Sequence, residues 1–226
     1  MNAIIINFYI YAENKHMSIT LLIVILTCVV SYMGFQNQLL VQKTIFSPYL
    51  IQQNNDWFRF ISSGFIHANW PHLLFNMLAL YSFGRILELY YLPYYFQSKA
   101  TLIFLAIYFV GMIIADISTF VKYRNSPSYA ALGASGAVSA VVFASILFDP
   151  LPEDGGIIIF PLPIPLPPVV FGVLYLIYSA YMSKKGGDNI NHDAHFYGAA
   201  FGFIFPILLK PELLTNFITI IQQKLT

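Results

Sequence analysis

Gly133-Ala134-Ser135-Gly136 lies a few residues inside an apolar stretch of helical length, and His195 lies at a similar depth in another. A serine hydroxyl is a weak nucleophile until a base takes its proton, and a neutral imidazole is the usual base near pH 7. Ser135 as nucleophile and His195 as general base are the pairing these residue types suggest, and the chemistry is acyl hydrolysis. Attack on a carbonyl creates an oxyanion, which donors already in place must stabilise. His72 and Asn76, spaced i and i+4, project from one helix face and are the candidate donors, with the Ser135 backbone amide as a third.

The elements that must carry these residues lie in a bilayer. Of 226 residues, 58% are hydrophobic and only 9% are charged, far from the balance of a soluble domain. A formal net charge of +1 without a basic cluster argues against nucleic acid as a partner, since phosphate binding needs several positive groups on one face. The single cysteine, Cys28, has no second thiol for an intrachain disulfide or a paired metal site.

About 20 apolar residues cross a bilayer as a helix. Six such runs are visible, at about residues 18–35, 71–91, 99–117, 129–148, 169–182 and 193–209. The expected fold is therefore an all-α membrane protein, a six-transmembrane-helix bundle over residues 18–210 with a long interfacial first loop. Residues 1–17 read as an N-terminal interfacial segment, and residues 211–226 as an amphipathic tail on the membrane surface. Pro161 to Pro168, with proline at five of eight positions, cannot be helical and forms a stiff connector. Trp57 and Arg59 suit the headgroup region. Basic residues divide five against six between the two sides, so absolute topology is open.

Even-numbered spans run in one direction, which brings His72, Asn76, Ser135 and His195 to a common level. Small residues on helix four (Gly136, Ala140, Ala144) and helix six (Ala194, Gly198, Gly202) allow close approach of the two backbones. Gly133, Gly136, Gly198 and Gly202 are read as packing glycines, and a short Ser135–His195 hydrogen bond is expected between the helices.

Over about residues 56 to 205 the chain resembles the rhomboid intramembrane serine proteases. The resemblance rests on Trp57-Phe58-Arg59, on His67 through Asn76, on Gly84 with Leu87-Glu88, on Gly133-Ala134-Ser135-Gly136, and on Ala194-His195-Phe196-Tyr197-Gly198 with Gly202. It implies a six-helix fold with Ser135 as nucleophile, His195 as general base, and His72, Asn76 and the Ser135 amide at the oxyanion. It also implies cleavage of transmembrane protein substrates without metal or cofactor, in a multi-pass protein of a bacterial cytoplasmic (inner) membrane. Two positions depart from the family pattern. Ser139 stands where an aromatic often packs against the histidine, so something else must hold the His195 ring. Phe58 separates Trp57 from Arg59, which alters loop anchoring.

Each assignment has a plainer rival. A serine in an apolar helix commonly back-bonds to the preceding turn, and Ser139 is read that way. Flanking glycines and a histidine at the same depth favour a function for Ser135. His192 competes with His195 but lies nearer the loop. His67 is given no role in the chemistry, Glu88 is expected to pair with Arg85 as a distant support, and Asp116 is expected to pair with a loop cation. Asp193 is two residues from His195, on another helix face, so a Ser-His-Asp triad is disfavoured. A metal site lacks the H-E-x-x-H pattern, and a transporter lacks an internal repeat. The remaining alternative is a catalytically silent relative that binds transmembrane client helices.

Overall fold

The computed structural model describes residues 18–153, 155–158 and 164–225, and residues 1–17 and Pro161 to Pro163 lie outside them. Helix α1 (Ile19–Gln36) starts the chain, and the first loop folds into short helices α2 (Gln38–Thr44), α3 (Pro48–Asn54) and α4 (Arg59–Ser62). Helix α5 (Trp70–Ile86) continues through a π-helical turn and a last turn to Phe96, and the chain reverses at Gln97, whose φ is 49°. Helix α6 follows in three pieces, Ala100–Leu105, a π-turn Ala106–Val110, and Gly111–Tyr123. Then come α7 (Ser135–Phe148), a two-residue hairpin pairing β1 (Ile157–Ile158) with β2 (Pro165–Leu166), α8 (Pro168–Lys185), α9 (His192–Leu209) and α10 (Glu212–Leu225). Helix α1 and the Trp70–Tyr123 stretch are long and apolar enough to cross a membrane, whereas α7 is apolar but shorter.

Helix α7 is the centre of the molecule. Every residue from Gly136 to Phe148 is buried, as expected of a helix that is apolar on all sides. Its 14 residues rise about 21 Å, against a hydrocarbon thickness of about 30 Å. The apolar run predicts a helix from residue 129, six residues before Ser135, and the helix begins at Ser135. The cause is local: Gly133 has φ of 113°, outside the helical range. Ala131 is instead paired with Phe46 through two backbone hydrogen bonds of 2.9 and 3.0 Å, and the Gly133 N–H donates to Ser63 O at 3.0 Å. Residues 129–134 are thus a strap bound to the first loop, and Ser135 is recessed beneath it.

Two helices meet α7 through small side chains. A Cβ on Gly198 would lie 2.2 Å from Gly136 O, and one on Gly202 would lie 2.0 Å from Ala140 O. A Cβ on Gly111 of α6 would lie 2.9 Å from Ala140 Cβ. Backbone therefore touches backbone along the α7–α9 seam.

One support differs from expectation. Glu88 does not pair with Arg85; its carboxylate caps the start of α1, accepting from Ser18 Oγ (2.6 Å), Ile19 N (2.7 Å) and Thr20 N (3.0 Å). Helix N-termini leave amides without internal partners and favour a negative charge there. Arg59, read from the sequence as suited to the headgroup region, is 6% exposed. It donates to Gln42 O (3.1 Å), Ile45 O (2.9 Å) and the Asp56 carboxylate (3.0 Å), clamping the first loop. After Lys210 the chain bends by 113° into α10, where Leu213 is buried and Phe217 packs edge-on against Phe203.

Candidate active site

Ser135 is the first residue of α7, so its amide belongs to the first turn, which has no intrahelical partner. The first bond of this helix is Val138 N–H to Ala134 O, at 2.9 Å. The same geometry places Gly133 outside the helix. It is a turn glycine by its φ of 113°, and it is also closely packed, since a Cβ there would lie 2.6 Å from His72 Cε1.

His67, left out of the chemistry in the sequence reading, fixes this turn. Ser31 Oγ donates its proton to Phe65 O at 2.9 Å, so it accepts from His67 Nδ1, also at 2.9 Å. With Nδ1 protonated, His67 Nε2 is the acceptor for Ala134 N–H at 3.3 Å. His67 is 3% exposed, and its ring meets His72 edge-on at 4.9 Å. The signal was its presence in the motif that ends at Asn76; what it holds was not legible.

On α5, Asn69 caps the helix through His72 N–H (2.9 Å), and Asn76 Nδ2 donates to His72 O (2.9 Å). Asn76, Ser135 and His195 all line one cavity of about 620 Å³. Its other walls include Phe75 and Phe83 of α5, Val142 and Phe143 of α7, Ile157 of the hairpin, and Phe171 and Tyr175 of α8. His72 is not among the residues lining this cavity; its ring lies over Gly133.

Ser135 and His195 are not hydrogen-bonded to each other among the described contacts, so the expected short bond is unformed. The His195 ring is stacked on Tyr175 of α8, with centroids 6.0 Å apart and planes 25° apart. No sequence signal pointed to Tyr175, because the register of α8 against α9 is a tertiary fact.

The start of α9 is held by its own set of contacts. Asn191 caps the helix by accepting from Ala194 N–H (3.1 Å), accepts from Thr119 Oγ1 (3.0 Å), and donates to Asp116 (3.1 Å). Asp116 thus pairs with an amide, not with the loop cation expected for it, because Lys122 goes to Asp193 (3.3 Å). Asp193 also accepts from Ser183 Oγ and makes no bond to His195. His192 faces Asp188, at 3.0 Å, and that hydrogen bond holds the Asp188 carboxyl below its ordinary pKa. Among the described residues, no three His, Cys, Asp or Glu side chains are grouped to hold a metal ion.

Comparison with known sequences bears on the same elements. Residues 54–212 match the family model of the Rhomboid domain. The chain belongs to the rhomboid family. It is 33% identical to "Rhomboid-like protein 11, chloroplastic" of Arabidopsis thaliana over 106 residues, 46% of this chain and 34% of that relative. It is 29% identical to "Putative rhomboid protease YdcA" of Bacillus subtilis (strain 168) over 161 residues, 69% of this chain and 68% of the relative. A third match is "RHOMBOID-like protein 12, mitochondrial" of Arabidopsis thaliana, 27% identical over 147 residues, 62% of this chain and 43% of that one. This rhomboid chain therefore spans about a third of the first of these relatives. With its apolar helices, it is an integral membrane protein.

Proposed function

We propose that this rhomboid is an intramembrane serine endopeptidase, with α1, α5, α6, α7, α8 and α9 as its six spans. The observation that carries this reading is the shared cavity: Asn76, Ser135 and His195 come from three helices and line one space. Ser135 Oγ attacks the scissile carbonyl as His195 takes its proton. The oxyanion is met by the Ser135 amide, which the helix leaves free, and by Asn76 and His72. Protonated His195 then gives its proton to the leaving amine, and water entering the cavity hydrolyses the acyl-enzyme in the reverse sense. The cavity walls are apolar side chains of α5 and α8, which suits a transmembrane client entering sideways from lipid.

The unformed Ser135–His195 bond favours a second reading, a catalytically silent rhomboid that binds transmembrane helices. One experiment separates the two. The purified chain in detergent is treated with a fluorophosphonate probe and assayed on a model transmembrane substrate, alongside Ser135→Ala, His195→Ala and His192→Ala. Hydrolysis requires loss of labelling, with cleavage down by about 10³-fold or more, in the first two variants and its retention in the third. A wild-type chain that neither labels nor cleaves supports the silent reading.

A further inference from the structure

The Tyr175 ring is held from several sides. Its hydroxyl lies 2.6 Å from Ser139 Oγ, and Ser139 Oγ lies 2.8 Å from Ser135 O. A carbonyl only accepts, so the single Ser139 proton goes to Ser135 O and the phenol must donate to Ser139. The chain of bonds runs from Tyr175 O–H to Ser139 Oγ–H to the carbonyl of Ser135 itself. The ring packs on Phe143 of α7 (5.5 Å) and Phe171 of α8 (5.6 Å), and its remaining contact is the stack on His195.

We infer that Tyr175, anchored by Ser139, is the positioning residue for His195, and that it ties the orientation of the base to the placement of α8. The inference rests on the reading of His195 as general base. Position 139 is suited to this arrangement: a small hydroxyl there leaves room for a ring from the neighbouring helix and gives that ring an anchor. An aromatic on α7 would hold the imidazole independently of α8. Here the supporting ring is itself part of the cavity wall. Helix α8 is held lightly, since among its residues only Pro168, Gly172 and Ser179 are buried, while Val173, Leu174, Ile177 and Tyr181 are more than half exposed. A client that pushes α8 outward at the level of Tyr175 carries the ring away from His195. A client seated without that displacement leaves the base in register.

The test uses the fluorophosphonate probe, which is small and needs no displacement of α8, on the 226-residue chain in detergent. Labelling rates as a function of pH, with kcat and KM on a transmembrane substrate, are measured for Tyr175→Phe, Tyr175→Ala, Ser139→Ala, the double variant Ser139→Ala with Tyr175→Phe, and the exchange variant Ser139→Tyr with Tyr175→Ala. Thermal unfolding verifies that each variant is folded. The expected result for Tyr175→Ala is labelling and kcat lower by about tenfold to a hundredfold, the scale of a misplaced catalytic group, with an altered pH profile. Tyr175→Phe and Ser139→Ala should show one equal, smaller loss that the double variant does not deepen, and the exchange variant should regain labelling. Wild-type labelling by folded Tyr175→Ala overturns the inference and leaves the Ser-His reading standing. If Tyr175→Ala does not fold, additive losses in the Ser139→Ala and Tyr175→Phe pair overturn it instead. A wild-type chain that never labels or cleaves overturns the protease reading, and the role of Tyr175 with it.

Discussion

A serine at the first position of a helix has its own amide free beside its hydroxyl, and under the proposed mechanism that single placement joins nucleophile and oxyanion donor in one residue. Asn76 is the second donor under the proposed mechanism. Its side-chain nitrogen already bonds to His72 O, so one proton is committed to the helix and the other is available to the cavity. Asn76→Ala is expected to lower kcat by about 10² to 10³-fold with KM little changed, the signature of a contact made only in the transition state. Steady-state kinetics on a model transmembrane substrate measure it, and an effect confined to KM would remove Asn76 from the oxyanion. His67 belongs to the same scale but acts differently: it holds Ala134 N–H, and with it the turn that aims Ser135. Residue types alone identified Ser135, His195, His72 and Asn76 as candidates. They did not identify His67, because a buried imidazole used as an acceptor is indistinguishable in sequence from one in a loop.

At the scale of elements, the α7–α9 seam sets how close Ser135 and His195 come. Gly198 rests on Gly136 O, a backbone atom that has no rotamer with which to move aside. Gly198→Ala is therefore expected to destabilise the fold by about 3 kcal/mol or more, at the upper end of overpacking costs, and to lower activity at temperatures where the chain is still folded. Thermal unfolding in detergent checks the first part and probe labelling the second. A wild-type melting temperature for Gly198→Ala would mean the seam yields easily. The small-residue spacing was visible in the sequence, as were the helices themselves, although the helix begun at Trp70 runs on to Phe96 and α6 to Tyr123, past the ends of their apolar runs at 91 and 117. The start of α7 was not. Apolarity continues through residues 129–134, and only the bonds to Phe46 and Ser63 show that this stretch is a strap and not a turn of helix.

For the molecule as a whole, the first loop is a brace for the site. Arg59 gathers Gln42 O, Ile45 O and Asp56. The next residue after Ile45 is Phe46, which pairs with the strap ahead of Ser135. Arg59→Leu would leave two carbonyls and a carboxylate without their donor, a loss of roughly 3 kcal/mol. The expected outcome is a lower unfolding temperature together with slower labelling of Ser135, although Arg59 is not among the residues lining the cavity. Unchanged labelling in a destabilised but folded variant would disconnect the loop from the site.

The sequence by itself determined that the chain lies in a membrane and that it is helical, and it singled out a serine, a histidine and two amide or imidazole donors as the candidate site. Those properties follow from composition, from run length and from chain direction, all of which are local or additive along the chain. Tertiary structure alone decided what supports each group: Tyr175 under His195, His67 behind Ala134, Glu88 on the start of α1, and Asn191 between Asp116 and Thr119. The physical reason is that each of these contacts joins residues from different helices. Apolar periodicity specifies which residues face the interior, but the rotation and register of one buried helix against another depend on how all of them pack together.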